Sequence, residues 1–287
     1  GRQLSFNEYN ARIYTVDPAS KYPVRFFVSG DEYRLLGIFP CRYHLFGAAE
    51  GGRIYLLGAD ARGRDVFSRL LYGAQISLSL CLIGVFISFT IGLLVGGISG
   101  YYGGRLDNFL MRLCEMVTMV PEFYLLLALR AAVPDDFSSA QVYLALVIIL
   151  SFLGWPGLAR IIRGMCLSLR EREYVLAAKS LGLSDLRIIL RHILPHTLSY
   201  SIFAVALRIP GYILAESGLS LIGLGIQDPY ASWGNMLSDA MSIVRIKFAP
   251  WILWPAFFIF LIVVCFNVIG DALRDCLDPM LKGEGEK

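Results

Sequence analysis

LLYGAQISLSLCLIGVFISFTIGLLVGGISGYYGG, residues 70–104, contains no Asp, Glu, Lys or Arg. About 20 apolar residues cross a bilayer. The run therefore predicts a transmembrane helix with length to spare for tilt or for extension beyond the lipid. Gly84, Ser88, Gly92, Gly96 and Gly100 recur within it every four residues, which lays small side chains along one helix face. Such a groove lets a second helix approach closely, so these five positions are expected to be packing positions.

The rest of the chain fits that start. Of its 287 residues 56% are hydrophobic and the mean hydropathy is +0.60, too apolar for an ordinary soluble domain. Four further apolar runs follow, at 109–129, 141–159, 198–225 and 251–270. The fold class read from them is an all-α polytopic membrane protein with five transmembrane helices. The second run carries Glu115, Pro121 and Glu122. Carboxylates are costly in lipid, so Glu122 lines a conduit or braces a kink at Pro121, and Glu115 does the same or lies at the interface. The fourth run holds Arg208, Pro210 and Glu216. Arg208 and Glu216 are about two helical turns apart and share a face, as pathway groups or as a structural pair.

Residues 1–70 are polar and aromatic, and short runs at 24–28, 43–46 and 53–57 read as strands. A small, partly β segment outside the membrane is expected there. DARGRD, residues 60–65, reads as a cap and anchor at the start of the first span. The six cysteines form no CxxC pair and read as small buried hydrophobes. The net charge of +3 argues against a nucleic-acid partner.

Basic residues in short loops set topology. Residues 160–196 carry seven Lys and Arg, and 101–112 carry two. The loop at 131–140 carries none, and that at 226–250 carries two. The 160–196 loop is therefore placed in the cytoplasm with the C-terminus and the 280–287 tail, and residues 1–70 outside the cytoplasm. An outer segment with ten basic residues and no signal fits this topology if another helix precedes it. A sixth, N-terminal span is thus expected upstream of Gly1.

The cytoplasmic loop has internal order. In EREYVLAAKSLGLSDLRIILRHILP, residues 171–195, Tyr174, Ala177, Ala178 and Leu181 form one face of a short helix. Gly182 stops it. Ser184 is placed to cap a second helix with Asp185 in its first turn. Leu186, Ile189, Leu190 and Ile193 give that helix an apolar face, and Pro195 closes it. Two short helices about a glycine elbow suit a grip by another protein or a position flat on lipid. In the outer loop, Trp233 and an amphipathic piece at 236–246 form a flap, or Trp233 is an interfacial anchor.

No catalytic set appears. His192 and His196 are four apart but lack a third ligand, and no phosphate-binding glycine loop or nucleophile elbow is present. A membrane enzyme would need converging reactive groups in the spans. A channel or scaffold without energy coupling is the other competing class.

Ala177, Ala178, Gly182, Ile193, Leu194 and Pro195 resemble the EAA signature of ABC importer permeases. The usual acid-Ala-Ala opening here reads VLAA, with Glu173 further upstream and Tyr174-Val175 before the alanines, as in the peptide-importer branch. LLGADARGRDVFSRLLYGAQISL (56–78), GYYGGRLDNFLMR (100–112), AESGLSLIGLGIQDPYASWGNML (215–237) and FNVIGDALRDCLDP (266–279) resemble the same branch in the same order. Over 56–279 the chain is similar to the C-type permease of dipeptide, oligopeptide and nickel importers. The resemblance implies docking on an ATPase groove through Glu173, Tyr174, Ala177, Ala178, Gly182, Leu183, Ile193 and Pro195. It implies translocation past Glu122, Arg208 and Glu216. It also implies a second homologous permease, two ABC ATPase subunits that hold ATP and Mg, and an extracytoplasmic substrate-binding protein. Glutathione and oligosaccharides are alternative cargoes of the branch.

Overall fold

The computed structural model describes residues 2–6, 12–16, 23–35, 39–48, 54–134 and 136–277. The 280–287 tail lies outside them. The chain divides into two compact units, 1–56 and 57–287.

The first unit is built of strands. β1 (Arg2–Phe6) pairs antiparallel with β2 (Arg12–Val16), and β3 (Val24–Leu35) with β4 (Phe39–Ala48). The β3–β4 register shifts between Ser29 and Tyr33. The expected strands at 24–28 and 43–46 fall within this pair. The one expected at 53–57 does not form over its described residues, where 56–57 are a turn leading to Gly58 at φ +82°.

The second unit is helical. α1 (Val66–Tyr102) covers the charge-free run and is about 55 Å long. Asp65 caps it by accepting from the Phe67 and Ser68 amides at 3.3 and 2.9 Å. α2 (Gly104–Met119) and α3 (Glu122–Ala131) follow. They replace the single span expected over 109–129. The residue before a proline is pushed to extended backbone, and Val120, at ψ 132°, breaks the helix there. α4 (Ser139–Leu169) opens with a capping box between Ser138 and Gln141. α5 (Glu173–Ser180), α6 (Asp185–Ile188), a π-turn (Ile189–Ile193) and α7 (Leu194–Leu221) come next. The 226–250 loop folds as α8 (Trp233–Met236), a 3-10 turn (Leu237–Met241) and α9 (Ile243–Phe248), so the amphipathic piece at 236–246 is broken where Ser242 takes extended backbone. α10 (Trp254–Leu277) ends the unit. Among the described residues four helical runs are long and apolar enough to cross a membrane: Val66–Tyr102, Ser139–Leu169, Asp185–Leu221 and Pro250–Cys276.

The glycine face of α1 lies against α4. A Cβ on Gly96 would sit 2.5 Å from the Ala159 carbonyl oxygen, and one on Gly100 2.6 Å from that of Arg163. One on Gly92 would sit 3.0 Å from Leu158 Cβ. Gly84 faces Tyr212 of α7 and Leu150, and Ser88 is buried in the same row. Around the seam Leu80, Leu146, Leu150, Ile213 and Leu219 form the main core. Cys81, Cys114 and Cys166 are buried free thiols, whereas Cys265 and Cys276 are exposed on α10.

At the head of α1, the DARGRD stretch is a tied cluster. Asp60 accepts from the Arg62 and Arg64 amides at 2.9 Å and from Arg64 Nε at 2.7 Å. Arg62, Arg64 and Arg69 converge on Asp228 of the 226–250 loop. Burial raises the pKa of each carboxylate, but hydrogen bonds and charge from the arginines outweigh it and hold both below the ordinary value.

Two outcomes follow. Gly96→Ala is expected to lower the thermal midpoint of the purified chain, with an overpacking cost of about 1–3 kcal/mol. Gly164→Ala in α4, where a Cβ meets nothing within 4 Å, is expected to leave it level or higher; equal loss in both would contradict the seam. Because both acids titrate below the unfolded reference near ~3.9, their cluster stabilises fully above that pH and loses its contribution as pH falls through the folded values. The gap in melting temperature between wild type and Asp60→Asn should therefore be large at neutral pH and close below about pH 4.

Candidate functional site

The EAA-like stretch forms a fixed elbow. α5 ends in a glycine C-cap: the Leu183 amide donates to Ala178 O at 3.3 Å and the Gly182 amide to Lys179 O at 3.0 Å. Gly182 has φ +75°, and a Cβ there would meet nothing within 4 Å. The glycine is thus required for backbone conformation, not for space. Val175 and Ala178 turn inward and join Ile188, Ile189, Ile193 and Cys166 in a buried cluster, with Leu183 packed against it. The opposite face is open. Leu181 is 80% exposed, Leu186 59% and Leu176 52%, and Glu173, Tyr174 and Ala177 are exposed beside them.

Four details differ from the sequence reading. Of Tyr174, Ala177, Ala178 and Leu181, Ala178 alone is buried. Leu186 and Leu190 point outward, so the buried row runs through Ile188, Ile189 and Ile193. Pro195 does not close the second helix. The π-turn carries the backbone into α7, and Pro195 sits in the first turn of α7, where a missing amide is tolerated. Ser184 holds the N-cap position of α6 without a side-chain bond.

The elbow is bonded to the C-terminal end of α1. Tyr101 Oη donates to Asp185 at 2.7 Å. Arg170 donates to the Gly100 and Tyr101 carbonyls at 3.3 and 3.4 Å. Arg163 forks onto Asp107 at 2.5 and 2.6 Å, and Ser99 donates to the same carboxylate. Asp107 and Tyr101 were not singled out in the sequence. Their signal was the GYYGGRLDNF turn itself, whose polar groups have no helical period to mark them. His196 sets its ring beside Tyr174, with centroids 5.2 Å apart.

Of the three deep ionisable residues, Glu122 and Arg208 both lie within electrostatic reach of Tyr212, and Glu216 is held apart. Glu122 begins α3 and is exposed, and Glu115 pairs with Arg112 on the surface of α2. Glu216 is 0% exposed and enclosed. Ser77 of α1 donates to it at 2.9 Å and Ser220 at 2.7 Å, with Ser217 at 3.4 Å. Those serines accept from the 226–250 loop in turn, Ser77 from the Trp233 amide at 3.2 Å and Ser220 from the Ile226 amide at 3.1 Å. A buried carboxylate is tolerable because each oxygen is hydrogen-bonded. Through these serines it holds the first part of the loop. Trp233 is correspondingly 3% exposed and donates its indole N–H to Leu70 O at 3.0 Å. It is a buried tie to α1, neither a free flap nor an interfacial anchor. Arg208 is exposed at mid-helix, away from Glu216, over a cleft shared with Ser88, Gly154 and Tyr212.

The site thus has an elbow with an exposed apolar face bonded to one end of α1 and a tied loop bonded near the other. The family described as "binding-protein-dependent transport system inner membrane component" matches residues 92–283. The dipeptide transport system permease protein DppC of Bacillus subtilis (strain 168) is 41% identical over 225 residues, covering 78% of this chain and 68% of its own length. The oligopeptide transport system permease protein OppC of Haemophilus influenzae is 42% identical over 226 residues, covering 78% and 70%. The glutathione transport system permease protein GsiD of Escherichia coli O157:H7 is 41% identical over 227 residues, covering 79% and 72%. Among solved structures, the inward-facing MetNI methionine ABC transporter matches with TM-score 0.55 at 16% identity, covering 74% of this chain and 97% of that one. A crystal structure of an amino acid ABC transporter with histidines gives 0.52 at 18%, covering 72% and 94%. At these identities the likeness is one of fold. The chain belongs to the binding-protein-dependent transport system inner membrane component family and is a membrane-spanning permease subunit of an ABC importer.

Proposed function

We propose that this permease forms half of the pathway of an ATP-driven importer of di- and oligopeptides. It works beside a second, homologous permease, two ATPase subunits that bind ATP and Mg, and an extracytoplasmic substrate-binding protein. The observation that carries the coupling role is the elbow's outer face. Leu176, Leu181 and Leu186 are exposed on a short, basic, internally fastened loop. Large apolar side chains left open together mark a protein interface. The ATPase groove is that partner in this reading, and Val175, Ala178 and Ile189 fasten the docked elbow to the spans. Closure of the ATPase pair then moves a rigid element and reorients the helices.

Topology follows the basic residues. The elbow is cytoplasmic, residues 1–70 and the 226–250 loop lie outside, and the C-terminus lies inside. α2 and α3 together make a fifth crossing, interrupted at Pro121. Peptide is favoured as cargo by the dipeptide and oligopeptide relatives. The glutathione permeases support a second reading, a modified tripeptide.

Two ATPase subunits are expected to co-purify with the assembled complex, and a permease pair free of them would contradict the assignment. Gly182→Val forces a β-branched residue to φ +75°, at about 1–2 kcal/mol. In proteoliposomes it should abolish uptake and uncouple ATP hydrolysis while membrane insertion stays normal, whereas Gly182→Asn, which tolerates that region, keeps most uptake. Wild-type transport by Gly182→Val would sink the docking role.

A further inference from the structure

We infer that Arg208 is a mid-membrane recognition site for a carboxylate carried by the transported molecule, a deepening that rests on the peptide-importer reading. Arg208 lies 14 residues from Leu194 and 13 from Leu221, so it sits about 20 Å from either end of α7. Gly154 and Gly157, beside it on α4, are at the middle of that helix. Among the described residues no carboxylate pairs with its guanidinium and no hydrogen bond is donated from it. A bare guanidinium at this depth is costly in lipid, so it faces water or an anion. The cleft beside it is open and lined mostly by apolar side chains, Val85, Phe89, Leu158 and Ile161 among them. Ser88 and the Tyr212 hydroxyl reach into the space that a Cβ on Gly154 would fill. Gly157 likewise leaves room for the Arg208 guanidinium.

The ligand chemistry follows from the fork and the depth. Planar guanidinium pairs best with carboxylate or phosphate. A lipid phosphate stays at the interface, roughly 15 Å from the bilayer centre, out of reach of this cleft. A free carboxylate moving through the pathway is the anion that arrives there. The flanking helices can deform at this level. Pro156 and Pro210 remove the amides that would bond the Phe152 and Ala206 carbonyls.

The test uses the assembled importer in proteoliposomes with its binding protein, given trialanine or trialaninamide. The readout is the acid-to-amide uptake ratio relative to wild type, which cancels the binding protein's own preference. Arg208→Gln should lower that ratio about tenfold, and Arg208→Lys should keep an intermediate value. In the detergent-purified complex without binding protein, trialanine should raise the wild-type melting temperature more than trialaninamide does, and Arg208→Gln should erase the difference. A ratio unchanged in Arg208→Gln, or equal thermal shifts for acid and amide in wild type, overturns the site while leaving the importer reading intact. Failure of the wild-type importer to move either peptide overturns both.

Discussion

The structure depends on the contact between α1 and α4, where backbone meets backbone. At Gly96 and Gly100 the α4 carbonyls of Ala159 and Arg163 fill the volume a side chain would need. In lipid there is no hydrophobic drive to press helices together, so close van der Waals packing must do it. The small-residue row supplies that packing over several turns. It also makes α1 and α4 one body, against which the other elements are hung.

That body has bonds at both ends. Toward the N-terminal end of α1, Ser77 reaches the buried Glu216 and takes the Trp233 amide, tying α1, α7 and the 226–250 loop at one carboxylate. At the C-terminal end Tyr101 reaches Asp185 of the elbow. The two residues are 24 positions apart on one helix, about 36 Å, comparable to a bilayer with its interfaces. One helix thus bonds to the elbow at one end and to the 226–250 loop near the other. The same is true of α7, which runs from the π-turn behind the elbow to Glu216. Hydrogen bonds fix the ends and close packing fixes the middle, an arrangement suited to transmitting motion without chemistry in this chain.

Much of this was legible in the sequence where a physical period exists. The charge-free run, the four-residue glycine row and the left-handed need at Gly182 are local demands, and the helices follow them. The elbow's position between two spans was likewise readable. What failed was orientation. Leu186 and Leu190 looked like a buried face, but α6 is a single turn and the period changes in the π-turn that follows, and the buried row runs through Ile188, Ile189 and Ile193. Pro195 looked like a stop because a π-turn cannot be seen in composition. Arg208 and Glu216 share a helix face in projection, yet one is open and the other enclosed by serines from α1 and α7. Only tertiary packing decides which deep charge is structural. Asp107 and Tyr101 were passed over because a single long-range hydrogen bond leaves no pattern along the chain.

The central claim is that the exposed side of the elbow is where the ATPase subunits hold this chain. Site-specific photo-crosslinking tests it most directly. A photoreactive side chain replaces Leu181, 80% exposed, or Leu176 in the assembled importer, and Val175, 2% exposed, serves as the inward control. The account predicts adducts to an ATPase subunit from 181 and 176 and none from 175. Adducts to lipid alone from all three positions would contradict it.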